Sequence, residues 1–415
     1  MTPRVRIAAA CVSKNADDIL PVLVAHYIRN GIRDFYLVQH GDQPDVSEKL
    51  VATMGKLANF TIYHHNSPYF RQAAMTNMLL ELARADGCDV FLPFDSDEFF
   101  DVTDAERTLG EVLDEWVRSN NGEQLIVPML NYLAPRDTEV FGPQTLGRTT
   151  HRVRPKDGVT REQLSPRMLP LHKSIARLRG SSAAELANVV LGNHETLGPR
   201  TLLSIFEPDV PSVPGVPDTY PVVVRHLPWR SHAFTMEPLL VHRALETSVV
   251  SGESSEVHGL LARLEATWQA FSLDPAMDPH VSHEQEFFVL EPDDACARIL
   301  DNIDQAGFNT TDPWCRSTET LESPTTSYSS RIFINDPAFD AGVSATHVQF
   351  LRATEIHELV KQVRARKDAR IRNLQRKIKR LTARNVSAQQ PPAERTTNRI
   401  LRRMKNLARR FLSRG

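Results

Sequence analysis

Asp89-Val90-Phe91-Leu92-Pro93-Phe94-Asp95-Ser96-Asp97-Glu98-Phe99-Phe100 is an apolar run that ends abruptly in three carboxylates. A short apolar run bounded by polar residues is the pattern of a strand buried on both faces of a parallel sheet. In open α/β sheets, ligands bind beyond the carboxyl ends of such strands. Side chains two apart in extended chain point the same way, so Asp95 and Asp97 are expected to converge. Converging carboxylates repel unless something cationic lies between them, and a hard divalent ion carrying a phosphate meets that need.

The residues before this stretch alternate strand and helix. Arg4–Val12 reads as a strand and Ala16–Arg29 as an amphipathic helix stopped by Asn30-Gly31. A strand at Asp34–Val38, a helix at Val46–Leu57 and a strand at Phe60–His64 follow. Ser67 and Pro68 then read as the cap and first position of a helix through Ala85. Repeated βαβ units imply a parallel sheet with helices on both faces. After Asp101 the pattern loosens. A helix at Leu109–Arg118, strands at Gln124–Leu130 and Pro221–Arg225, and helices from Glu237 to Ile303 are expected. Residues 308–345, rich in Ser, Thr, Pro and Asp, read as an irregular linker.

The chain has 415 residues and a formal net charge of −2 that hides an asymmetry. Residues 361–415 carry +17 and residues 1–360 carry −19. A basic tail of this kind points to an anionic partner or to docking on its own acidic body. The four cysteines, Cys11, Cys88, Cys296 and Cys315, form no CxxC pair, which excludes a zinc ribbon or disulfide framework. The opening apolar segment is too short for a signal-peptide core. No run approaches the roughly 18 apolar residues of a membrane span. The expectation is a cytoplasmic protein, peripheral at the inner membrane face if the tail attaches it.

Further motifs give a resemblance. Cys11-Val12-Ser13-Lys14-Asn15, Ile19-Leu20-Pro21 and His26 open the series, followed by Arg71-Gln72, Asn77 and Asp95-Ser96-Asp97-Glu98-Phe99. Lys173-Ser174-Ile175-Ala176-Arg177, Gly192-Asn193-His194 and Arg225-His226-Leu227-Pro228-Trp229-Arg230-Ser231 complete it. This ordered set resembles the family 2 type glycosyltransferases of the Asp-x-Asp-Glu-Phe subgroup, over residues 4 to about 245. The resemblance implies a GT-A fold, a Rossmann-like α/β class with a mostly parallel sheet. It also implies a nucleotide-sugar donor, a glycan or lipid-linked hydroxyl acceptor, and Mn²⁺ or Mg²⁺. The domain layout expected is 1–245 for the transferase, 246–307 for a helical extension, 308–345 for the linker and 346–415 for the basic helical tail.

In that frame Asp97 is the first choice for direct metal ligation, and Asp95 serves the ribose or the metal through water. His226 is a third ligand, since imidazole suits a borderline ion. Arg230 pairs with phosphate, while Lys14, Asn15, Arg71 and Gln72 line the nucleotide. Lys173, Asn193 and His194 fall on the acceptor side. An inverting transfer needs a carboxylate base, and Glu195 and Glu98 are candidates, with Asp137 behind them. The chain departs from the family at Ala16, where an acid usually stands and where Asp17 and Asp18 are displaced. It departs again at Gln39-His40-Gly41-Asp42. A non-catalytic nucleotide- or glycan-binding scaffold and a nucleic-acid-binding protein acting through its tail are the rival readings.

The tail carries two patterns. Ile371, Leu374, Ile378 and Leu381 have heptad spacing, which suggests a short coiled coil and self-association. Ile400, Leu401, Met404, Leu407, Ala408, Phe411 and Leu412 form one apolar face among arginines, as in a helix lying on an anionic membrane.

Overall fold

Strand β1 (Ile7–Ser13) is buried along its whole length, and its residues alternate between two cores. Ile7, Ala9 and Cys11 enter one, while Ala8, Ala10 and Val12 enter the other. That alternation places β1 in the interior of a sheet covered on both faces. The chain is described by a computed structural model at residues 5–14, 16–41, 44–66, 71–119, 124–156, 159, 172–178, 221–235, 254–317 and 328–346. All of them lie in one compact unit, Met1–Phe350. The two tail patterns lie outside the described residues.

The protein is of the α/β class. Helix α1 (Leu20–Arg29) follows β1 and is buried from Leu20 to Ile28, so the expected amphipathic helix has no free face. Gly31, at φ +87°, adopts a left-handed conformation that ends it. Strand β2 (Asp34–His40), helix α2 (Pro44–Met54), strand β3 (Asn59–His65), helix α3 (Gln72–Ala85) and strand β4 (Val90–Phe94) complete the βαβ series. Arg71 occupies the cap position of α3. The helix therefore starts later than the Ser67-Pro68 signal, and residues 67–70 are outside the described set. β4, β1, β2 and β3 lie side by side and parallel. The chain runs outward from β1 through β2 and β3, then returns to β1's other side at β4. This reversal makes the carboxyl ends of β1 and β4 the switch point of the sheet.

The second half of the sheet is largely antiparallel. Strand β5 (Glu98–Val102), helix α4 (Leu109–Ser119), strand β6 (Gln124–Tyr132), helix α5 (Pro143–Arg148), strand β7 (His151–Pro155), strand β8 (His172–Arg177) and strand β9 (Val222–His226) follow in order. β8 lies antiparallel between β4 and β6. β5 pairs antiparallel with β9, which also pairs parallel with β6. Helix α6 (Ser254–Phe271), strands β10 (His283–Glu284) and β11 (Phe288–Pro292), helix α7 (Ala295–Gln305) and strand β12 (Ser330–Ile334) close the described chain.

Two sequence expectations change here. The stretch read as helical up to Ile303 contains β11, which joins the sheet antiparallel to β7. Within the stretch read as a linker, β12 extends the sheet parallel to β3, from Ser330 opposite Phe60 to Ile334 opposite His64. A helix over 337–346 then packs back on the sheet. Among the described residues, no helix is long and apolar enough to cross a membrane. All four cysteines are buried and unbridged.

Candidate functional site

The apolar part of the opening stretch is β4, and the chain turns at its carboxyl end. Asp95 donates its backbone N–H to Glu98 Oε2 at 3.0 Å, and Glu98 N–H donates back to the Asp95 carbonyl at 3.1 Å. The turn is thus tied from both sides before β5 begins. Tyr27 of α1 supports it from below, donating its hydroxyl to the Glu98 carbonyl at 2.9 Å. Because residues 95–97 form a turn rather than extended chain, the rule that side chains two apart share a face does not hold there. Asp95 and Asp97 have different neighbours.

Asp95 is held by Gln72 and Lys173. Gln72, the first residue of α3, donates Nε2–H to Asp95 Oδ1 at 2.6 Å. Lys173 Nζ lies 2.8 Å from Asp95 Oδ2 and 2.7 Å from Glu98 Oε1. It arrives there because β8 runs antiparallel to β4 with Ala176 opposite Phe91. Three residues further along that register, Lys173 draws level with Phe94. Burial alone would lower the Lys173 ammonium, but Asp95 and Glu98 hold it well above its usual range. Burial drives the Glu98 carboxyl up to about 7, with Asp95 and Asp97 adding to the effect and Lys173 opposing it.

Asp97 faces His226. The β5–β9 register sets Glu98 opposite His226, and Leu227 N–H donates to the Asp97 carbonyl at 2.9 Å. His226 Nε2 then lies 3.5 Å from Asp97 Oδ2. On the ring's other side, Nδ1–H donates to Asn131 Oδ1 at 2.7 Å. An amide oxygen accepts only, so this bond turns the Nε2 lone pair toward Asp97 when the imidazole is neutral. With a neutral ring this sets a lone pair against a carboxylate, which a bound cation would bridge; with a protonated ring Nε2–H makes an ion pair with Asp97. Burial opposes ionisation of Asp97, yet His226, Arg230 and Lys173 bring its carboxyl down to about 2.

Donor atoms of Asp97, Glu98 and His226 all lie within 4.8 Å of one another. Carboxylate oxygen with imidazole nitrogen is a donor set suited to Mn²⁺, so these residues fit the expected ion. Asp95 stands outside that group.

Other expected site residues are placed as follows. Lys14 is exposed just beyond β1, close enough to His40 to act on it electrostatically. Arg71 donates Nη1–H to Ser344 Oγ at 3.3 Å. Arg230 is buried, forms a two-pronged ion pair with Asp18 at 3.0 Å for each bond, and lies 3.7 Å over the Phe234 ring. The acid displaced from the position after the Lys-Asn pair therefore meets this guanidinium. Asp137 pairs with Arg148 at the surface. Asn15, Asn193, His194 and Glu195 lie outside the described residues. Sequence reading missed Asn131, whose one signal is an amide in an otherwise apolar strand.

No family model matches the chain, and no curated protein matches it. Among solved structures, S. aureus TarS aligns with a TM-score of 0.24 at 11% identity, over 65% of this chain and 44% of its own. TarS 1-349 in complex with UDP gives 0.23 at 12% identity, over 63% and 71%. UDP-glucose pyrophosphorylase complexed with UDP-glucose gives 0.21 at 6% identity, over 38% and 65%. The chain thus spans less than half of the full TarS chain. Superpositions this loose carry no weight for function.

Proposed function

We propose that this chain is a glycosyltransferase moving a sugar from a nucleotide-diphosphate sugar to a hydroxyl acceptor, with Mn²⁺ or Mg²⁺ held by Asp97 and His226. The observation that supports it best is the 3.5 Å approach of Asp97 Oδ2 to His226 Nε2 at the switch point of the sheet. Bound there, a divalent ion supplies charge neutralisation to the departing nucleoside diphosphate. Asn131 orients His226 through Nδ1, and Asp95 stands at the rim with its carboxylate fixed by Gln72 and Lys173. Both oxygens of Glu98 are engaged, one by Lys173 and one by the Asp95 N–H, so Glu98 braces the turn. The base role falls to Glu195. The acceptor is a glycan or lipid-linked hydroxyl, reached where the basic tail meets an anionic membrane surface.

The test is donor hydrolysis by the full-length chain with a panel of nucleotide sugars, with Mn²⁺ or with EDTA. Mn²⁺-dependent turnover is expected, falling about 10- to 100-fold or more in Asp97→Asn. Absence of metal-dependent turnover with every donor contradicts the enzyme reading. Nucleotide binding without turnover would leave the scaffold in its place.

A further inference from the structure

Three carboxylates crowd the end of β4, and one buried ammonium stands among them. Lys173 is 1% exposed, with Nζ 2.8 Å from Asp95 Oδ2 and 2.7 Å from Glu98 Oε1. A buried ion pair is costly to desolvate and persists where its geometry is complete. It is complete here. Asp95 uses its other oxygen for Gln72, and Glu98 uses its other oxygen for the Asp95 N–H. The cation that converging carboxylates require is therefore supplied by the protein at two of the three. Asp97 instead faces His226, whose Nε2 lies 3.5 Å from Oδ2 and is turned to the carboxylate by Asn131.

We infer that Lys173 is a positioning residue, a built-in cation that neutralises Asp95 and Glu98 and confines the divalent ion to Asp97 and His226. The inference rests on the metal-dependent reading of the site. It moves Lys173 from the acceptor side to the metal side, and it removes Asp95 and Glu98 from the ligand set. An ion on Glu98 or Asp95 would sit beside the Lys173 ammonium, a like charge within hydrogen-bond distance of both carboxylates. The lysine thereby sets which carboxylate takes the metal and keeps Asp95 oriented toward the donor.

Mn²⁺ titration of the full-length chain without nucleotide, followed by electron paramagnetic resonance, tests the assignment. Asp95→Asn is expected to bind Mn²⁺ within about twofold of the unsubstituted protein, and Asp97→Asn to lose about tenfold or more. Lys173→Ala is expected to gain: with the ammonium gone, Asp95 and Glu98 take a second ion, or bind Mn²⁺ about fivefold more tightly. That gain disappears when Asp95→Asn is added, and Lys173→Arg retains the behaviour of the unsubstituted protein. A merely structural lysine predicts loss, never gain. A folded Lys173→Ala with no gain overturns the inference. A tenfold loss in Asp95→Asn does so too, and decides the matter if Lys173→Ala does not fold. If the unsubstituted protein binds no Mn²⁺, the metal reading fails separately, while the gain or its absence in Lys173→Ala still decides the role of the lysine.

Discussion

Asn131 shows how a single side chain in the sheet sets the chemistry of another. Its Oδ1 accepts from His226 Nδ1 at 2.7 Å, which fixes the ring and directs Nε2 at Asp97. Side chains that hydrogen-bond the far nitrogen of a metal-bound histidine typically contribute about 10- to 100-fold in affinity. Asn131→Ala is therefore expected to weaken Mn²⁺ binding about 10-fold or more. An unchanged Mn²⁺ affinity would show that His226 does not depend on this bond. Asp97 and His226 were legible as residues because each sits where an apolar run stops. The side chains that hold the neighbouring carboxylates and the imidazole were not. Lys173 has a flexible stem that reaches in any direction, and only the β8–β4 register reveals that it ends on Asp95 and Glu98. Asn131 was illegible for the same reason, since the donor it accepts from, His226, lies on a strand far away in the chain.

The elements of the first half were legible because each declares itself locally. Apolar runs of five to seven residues alternate with helical stretches, and glycines close the helices. β12 does not declare itself. Its five residues sit among serines, threonines and prolines, and their partner β3 is nearly 270 residues earlier. What holds this segment, beside the strand pairing, is an aromatic stack and a histidine–carboxylate hydrogen bond. The Tyr63 ring lies 4.7 Å from Phe333 and 4.2 Å from Phe339, nearly parallel to both. His65 Nδ1 lies 2.6 Å from Asp340 Oδ1. Phe339 is buried, so Phe339→Ala removes a core ring and is expected to cost about 3–5 kcal/mol in denaturant unfolding. Hydrogen exchange of β12 and the helix over 337–346 should accelerate with it. Exchange unchanged in that segment would mean that the stack does not anchor it.

At the scale of the molecule, four buried histidines tie stability to pH. Burial is the largest cause pushing the imidazoles of His26, His40, His64 and His151 below their ordinary value of 6.5. Each is favoured neutral in the fold, so below pH 6.5 the unfolded chain takes up protons that the folded chain does not. Stability contributed by these groups is complete above 6.5 and declines as pH falls from there toward their folded values. Glu98, raised to about 7, and His232, also raised, act in the opposite sense. From about pH 7 to about pH 5 the melting temperature of His26→Gln is therefore expected to fall less, or rise more, than that of the unsubstituted protein. A His26→Gln profile parallel to that of the unsubstituted protein would contradict this. The charge asymmetry was legible from counting alone, because charge needs no contact map. The described residues belong to its acidic part.

In the proposed function, nucleotide and metal meet at Asp97 and His226. Calorimetric titration of nucleoside diphosphates into the full-length chain tests it most directly, with Mn²⁺ or with EDTA, in the unsubstituted protein and in Asp97→Asn. The expected result is a nucleotide that binds with Mn²⁺, is lost in EDTA, and binds Asp97→Asn at least about tenfold more weakly. Binding that is equal with and without metal, and equal in Asp97→Asn, would contradict it.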